Sequence, residues 1–292
     1  MKVWVKEQLL VRNFTSNIVL KPLFILSLFI TLAAQASDNN IILSGELKQG
    51  GLILGKTLPN NTVHLNNKML PVSANGDYVF GFGRDDNTSY HLVITTPKGE
   101  KQQKRITPKK RQYQEQSIKG IAKSIMQPSA KAIARSKKDS GQIRAARKIS
   151  SELSAYSAGF IAPIDGVITG VYGSRRIYNG VKKRPHFGLD YAGKIGDPVK
   201  SPAAGIILLF VPDMFYSGGT MIIDHGQGVT STFLHLSNAY VNVGDIVKQG
   251  QVVAAVGNSG RVTGPHLDWR INWFNIKIDP ALALKIDTIK FK

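Results

Sequence analysis

Short apolar-rich runs separated by turn residues mark much of this chain, and near the C-terminus apolar and polar positions alternate with period two. In residues 264–273, Leu267, Trp269, Ile271 and Trp273 fall on one face of an extended segment, and His266, Asp268, Arg270 and Asn272 on the other, because side chains two apart share a face of a strand. Residues 41–47, 52–54, 62–65, 78–82 and 90–95 read as short strands. Turn residues punctuate them at Asn60-Asn61, Asn66-Asn67, Asn75-Gly76 and Asp85-Asp86-Asn87, which reads as a small β-sandwich-like domain over 37–98. The period changes in 99–158, where Ile143, Ala146, Ile149 and Leu153 recur at three- and four-residue spacing, predicting an amphipathic helix in a basic helical linker. From residue 159 it returns to two. Strands are predicted at 167–171, 199–201, 205–211, 220–224, 230–236, 240–243, 252–256 and 266–273, with no helix of ordinary length between them. The fold class expected is mainly β, with an antiparallel β-sheet domain over 159–292.

Composition changes this picture in three places. Lys2, Lys6, Arg12 and Lys21 precede an apolar run at 23–32 and then Ala34-Gln35-Ala36. That is the layout of a secretory signal peptide over residues 1–36, and the run is short for a membrane span. An uncleaved anchor is the other reading, and both place the remainder in the periplasm or outside the cell. The sequence has no cysteine, so disulfides, thiolate ligands and a cysteine nucleophile are excluded, and any metal site must use His, Asp or Glu. The net charge of +19 is concentrated, with sixteen Lys and Arg against three Asp and Glu in residues 98–148. Such a block suits an anionic envelope polymer or membrane surface, or is a solvated linker. It lacks the interleaved aromatics of a nucleic-acid-binding arm, so no nucleic acid is expected as a partner.

The polar face of 266–273 gains meaning beside two other segments. His186 and Asp190 are four apart, Pro185 and Gly188 argue against a helix, and in an extended segment they share a face. Imidazole with carboxylate is a normal pair for a zinc ion, and a third ligand could come from His266 or Asp268. Pro185-His186-Phe187-Gly188-Leu189-Asp190, Gly196-Asp197-Pro198-Val199, His235-Leu236 and Thr263-Gly264-Pro265-His266-Leu267 together closely resemble the lysostaphin-like zinc endopeptidases of the M23 family, over roughly residues 159–280. The N-terminal strands and basic helix also resemble the accessory region that precedes this domain in some exported members.

That resemblance implies one Zn²⁺ held by His186, Asp190 and a third ligand, with His266 and His235 as catalytic histidines. The third-ligand position, a histidine in the family, is Asp268 here, and Arg270 follows where Glu is commoner. The implied activity is hydrolysis of peptide cross-links in peptidoglycan, His266 acting as general base and His235 stabilising the oxyanion. The Asp268 substitution opens an alternative: a catalytically inactive relative that regulates another cell-wall hydrolase or binds the wall. His64, His91 and His225 read as structural, Trp269 and Trp273 as core. The loop 175–184, with Arg176 and Asn179, either lines or occludes the groove.

Overall fold

The structure, a computed structural model, describes residues 41–122 and 127–289. The expected signal peptide lies outside the described residues, none of whose helices is long and apolar enough to cross a membrane. The molecule is mainly β, with antiparallel sheets. The N-terminal residues build two of them. One holds Ile42–Ser44, Leu52–Lys56 and Asp77–Gly81; the other runs Lys68–Leu70, Thr62–Leu65, Tyr90–Thr95, Lys101–Ile106. The last of these, with the sequence KQQKRI, buries only Ile106. It is held by its ladder to Tyr90–Thr95 rather than by an apolar face, which is why alternation does not reveal it.

The 99–158 segment is therefore not helical throughout. Besides Lys101–Ile106 it supplies Glu115–Ile118, which pairs in parallel with Arg175–Tyr178. The helix spans Ala130–Ala146, begun by the Ser129 side chain, which accepts from Ala132 N and so satisfies one free N–H of the first turn. Ile149 and Leu153, expected on its apolar stripe, lie beyond its end and are exposed. The chain leaves the helix where Asp224 takes the Ser151 N–H at 3.0 Å, an interaction a helical Ser151 could not make. The helix docks largely through polar contacts: Asp139 accepts from Phe215 N at 2.8 Å, and Arg135 donates to Asp213 O at 2.7 Å.

The large sheet has the strand order Ile246–Val247, Gly205–Met214, Gly218–Gly226, Val229–Ala239, His266–Trp273, Leu189–Ala192, Ile168–Gly170. Three further strands join it off this path: Pro198–Lys200, Val252–Val256 and Ile276–Ile278. Gly218–Gly226 is buried at every position, as expected of a central strand covered on both faces. A strand expected at 240–243 is absent. There the chain bends, with Asn242 N donating to the Asp245 carboxylate, and Tyr240 and Val243 are exposed.

The N-terminal sheets and the large sheet contribute to one contiguous core, in which Tyr78, Phe80 and Phe82 join Trp269, Trp273 and Ile278. Polar ties reinforce it. Asp279 N donates to Gly50 O at 2.8 Å, and Arg111 pairs with the buried Asp279 carboxylate at 2.8 Å.

Candidate active site

Strand register creates the site. Asp190 lies directly opposite Asp268 across the Leu189–Ala192 and His266–Trp273 ladder. Like charges in facing positions repel, so this pairing needs a cation. The loop before Asp190 is fixed by His186 N donating to Ser174 O and by Gly173 N donating to His186 O, both at 2.8 Å. His186, Asp190 and Asp268 each offer a ligand atom, and the three atoms lie within 4.8 Å of one another. His186 Nε2 and Asp190 Oδ1 face each other at 3.1 Å, and neither of these buried atoms is hydrogen-bonded to any other group. A buried pair of this kind is satisfied either by a proton held between its two atoms or by a cation that both ligate.

Two glycines make room for the carboxylates. A Cβ at Gly188 would overlap Asp268 Oδ1, and one at Gly170 would overlap Asp190 Oδ2. The sequence reading missed both. The signal was the glycine between His186 and Asp190, which the motif carries without stating its purpose.

Asp268 is buried and shared. Arg270 Nε donates to its two oxygens at 3.0 and 3.1 Å, and the Arg270 terminal nitrogen adds 2.5 Å to Oδ2. Burial opposes its charge, but Arg270 outweighs that, and the carboxyl stays below its ordinary range. For His186, burial favours the neutral ring, yet Asp190 and Asp268 prevail and its pKa is raised. The negative surroundings that hold a proton there would equally hold a metal ion in its place. A carboxylate has about four acceptor positions, so Asp268 can serve Arg270 and a metal together. The donor set fits a divalent cation.

His235 and His266 stand beside this trio with ring centroids 4.8 Å apart. His235 lies at a bulge, where Leu234 and His235 together oppose Thr220, and its φ of +67° is left-handed. Its Nδ1 is 2.9 Å from Ser259 O, and His266 Nδ1 is 2.9 Å from Gly264 O. A carbonyl only accepts, so both Nδ1 atoms carry a proton, and Nε2 of either ring presents a lone pair in its neutral form. Burial is the main cause that lowers the His235 pKa, keeping it neutral at neutral pH.

The other histidines take structural places. His225 is fully buried between Ala204 O and Ser231 Oγ, and His64 and His91 lie in the N-terminal strands. Trp269 and Trp273 are buried. A groove of about 1360 Å³ opens at His186 and Asp190. Loop 175–184 forms the hairpin Arg175–Tyr178 and Val181–Lys182 and lines the groove, held by Asn179, which exchanges two hydrogen bonds with Ile121. The Ala130–Ala146 helix lines it too, a role for this segment that the sequence reading did not foresee.

An antiparallel β groove with a His/Asp/Asp cluster and two anchored histidines defines a metallohydrolase-like architecture. Residues 184–280 match the model of peptidase family M23. Over 112 residues the chain is 36% identical to the peptidoglycan DD-endopeptidase ShyA of Vibrio cholerae, covering 37% of this chain and 26% of that protein. It is 41% identical over 91 residues to the DD-carboxypeptidase/endopeptidase Mpg of Neisseria meningitidis, covering 30% and 21%. The chain thus spans about a quarter of the length of these curated relatives. A crystal structure from Pseudomonas aeruginosa, assigned as a peptidase M23, superposes with a TM-score of 0.63 at 26% identity, covering 82% of this chain and 95% of that one. This chain contains a peptidase M23 domain.

Proposed function

We propose that the protein is an exported, zinc-dependent endopeptidase that hydrolyses peptide cross-links of peptidoglycan in the cell envelope. The observation that carries this reading is the convergence of His186, Asp190 and Asp268 beside the Nδ1-anchored pair His235 and His266. The names of the M23 relatives support the substrate class. His186, Asp190 and Asp268 would hold one zinc ion, which when bound supplies Lewis-acid polarisation of the scissile carbonyl and acidifies a water. The free Nε2 of His266 takes the proton of the attacking water. His235, neutral at rest with its Nδ1–H taken by Ser259 O, stabilises the oxyanion in the form whose Nε2 carries a second proton drawn from solvent, distinct from the proton that His266 takes from the attacking water. The basic segment 98–148 would hold the enzyme near anionic envelope polymers.

One observation favours a second reading. Arg270 engages both oxygens of Asp268, which suits an inactive relative that binds or regulates at the wall. Zinc content and turnover of purified wall peptides, for wild type, His266→Ala and Asp268→Ala, separate the two. An active enzyme holds one zinc per chain. His266→Ala keeps the metal and loses on the order of 100-fold or more in rate, and Asp268→Ala loses the metal. Wild type without zinc and without turnover leaves the second reading standing.

A further inference from the structure

The groove beside the metal-site residues holds more positive charge than the protein neutralises. Among its lining residues, Arg175 is paired with Glu115 and Asp139 with Arg135, and Arg270 is committed to Asp268. Arg147, Arg184 and Lys277 also line it, and none of the three pairs with a carboxylate among the described residues. They are close enough to act on one another. Burial first, then Arg270 and Arg184, pushes the Arg147 pKa down to about 10; burial, then Arg184, Arg147 and Arg270, lowers that of Lys277. Their positions are fixed by contacts that leave their charge uncompensated. Arg147 gives one N–H to Thr232 Oγ1 at 2.8 Å while its buried Nε has no partner. Lys277 donates to Asn275 O at 3.1 Å. The Arg184 guanidinium and the Lys277 ammonium both lie on the Phe187 ring, 5.5 and 5.7 Å from its centre.

Three mutually repelling cations held in place in a half-buried groove are relieved by one kind of ligand, an anion. A planar carboxylate matches the fork of an arginine, with an ammonium as a second donor. We propose that Arg147, Arg184 and Lys277 form a subsite that takes a carboxylate of the bound peptide. Naming a peptide as the carrier rests on the peptidase reading above; the anion preference itself does not. The subsite selects peptides whose acidic group is free over those in which it is amidated.

The test measures binding of the synthetic peptide L-Ala-γ-D-Glu-L-Lys-D-Ala-D-Ala and its fully amidated twin to the full chain by titration calorimetry. EDTA is present, so that no carboxylate binds through a metal and no turnover occurs. Wild type is expected to prefer the free acid by about tenfold or more, the scale of one charge-assisted hydrogen-bonded pair. R184Q and K277Q should each cut that preference by roughly threefold or more. K194Q removes an exposed charge that is not among the groove's lining residues and should leave it unchanged. Arg184 is exposed, so R184Q keeps the fold and carries the test even if R147Q does not fold. Equal binding of the two peptides by wild type, or a preference that survives both R184Q and K277Q, overturns the proposal. So does inorganic phosphate binding more tightly than the acid peptide, which would reassign the cluster to phosphate. Zinc content and turnover are read on the same preparations without EDTA. A carboxylate preference without turnover supports the subsite and removes the peptidase reading, and turnover without a preference does the reverse.

Discussion

At Gly188 a methyl group would overlap Asp268 Oδ1, and at Gly170 it would overlap Asp190 Oδ2. Neither glycine has a left-handed backbone, so alanine would be conformationally acceptable at both, and the cost falls on the carboxylate that must move. Under the proposed zinc reading these glycines would act on the metal through the ligand they seat, as supporting residues around a metal site do. Gly188→Ala and Gly170→Ala are each expected to weaken zinc binding by about 10- to 100-fold while leaving the far-ultraviolet circular dichroism unchanged. Competition with a chromophoric chelator measures this, and an unaltered affinity in both variants would mean that neither carboxylate binds metal from its present position.

Among the elements, the Val229–Ala239 strand does the most to shape the site, because its bulge turns His235 out of the regular alternation. A left-handed conformation costs a non-glycine residue about 1–2 kcal/mol, and glycine adopts it without that penalty. His235→Gly is therefore expected to be more stable than His235→Ala by about 1 kcal/mol, read as a shift in urea midpoint, with turnover lost in both. Equal stabilities would show that the bulge relaxes once the imidazole is gone. This bulge also marks a boundary of what the sequence discloses. The strands at 62–65, 90–95, 252–256 and 266–273 are legible from their residue pattern and flanking turns, and have the same bounds in the structure. Lys101–Ile106 and Glu115–Ile118 are not, because their polar residues are held by backbone ladders, the first to the preceding strand and the second to a strand about sixty residues on. His186, Asp190, His235, His266 and Asp268 could be picked out by motif. The sharing of Asp268 with Arg270 and the carbonyls that fix each imidazole could not, since only the assembled sheet brings them together.

For the whole molecule, acid sensitivity can be traced to a buried histidine away from the groove. His225 bonds Ala204 O through Nδ1 and Ser231 Oγ through Nε2, and Ser231 Oγ also accepts from Trp269 Nε1. Burial pushes its pKa down to about 4, against about 6.5 in an unfolded chain. Between those values the unfolded chain binds a proton that the folded chain refuses, so stability is lost as pH falls from about 6.5 toward 4, by up to about 3 kcal/mol. Urea unfolding at pH 7.5 and 5 should show this loss in wild type and a smaller one in His225→Gln; identical pH dependences would remove His225 as the cause. The shared core carries a different consequence. Phe80 and Phe82 belong to the same buried cluster as Trp269 and Ile278, and Arg111 is the ion-pair partner of the buried Asp279. The N-terminal strands and the peptidase sheet are thus not interchangeable cassettes. A recombination joint near residue 158 would have to bring matching surfaces from both parents, so a hybrid made there exposes unmatched apolar surface on each side of the joint.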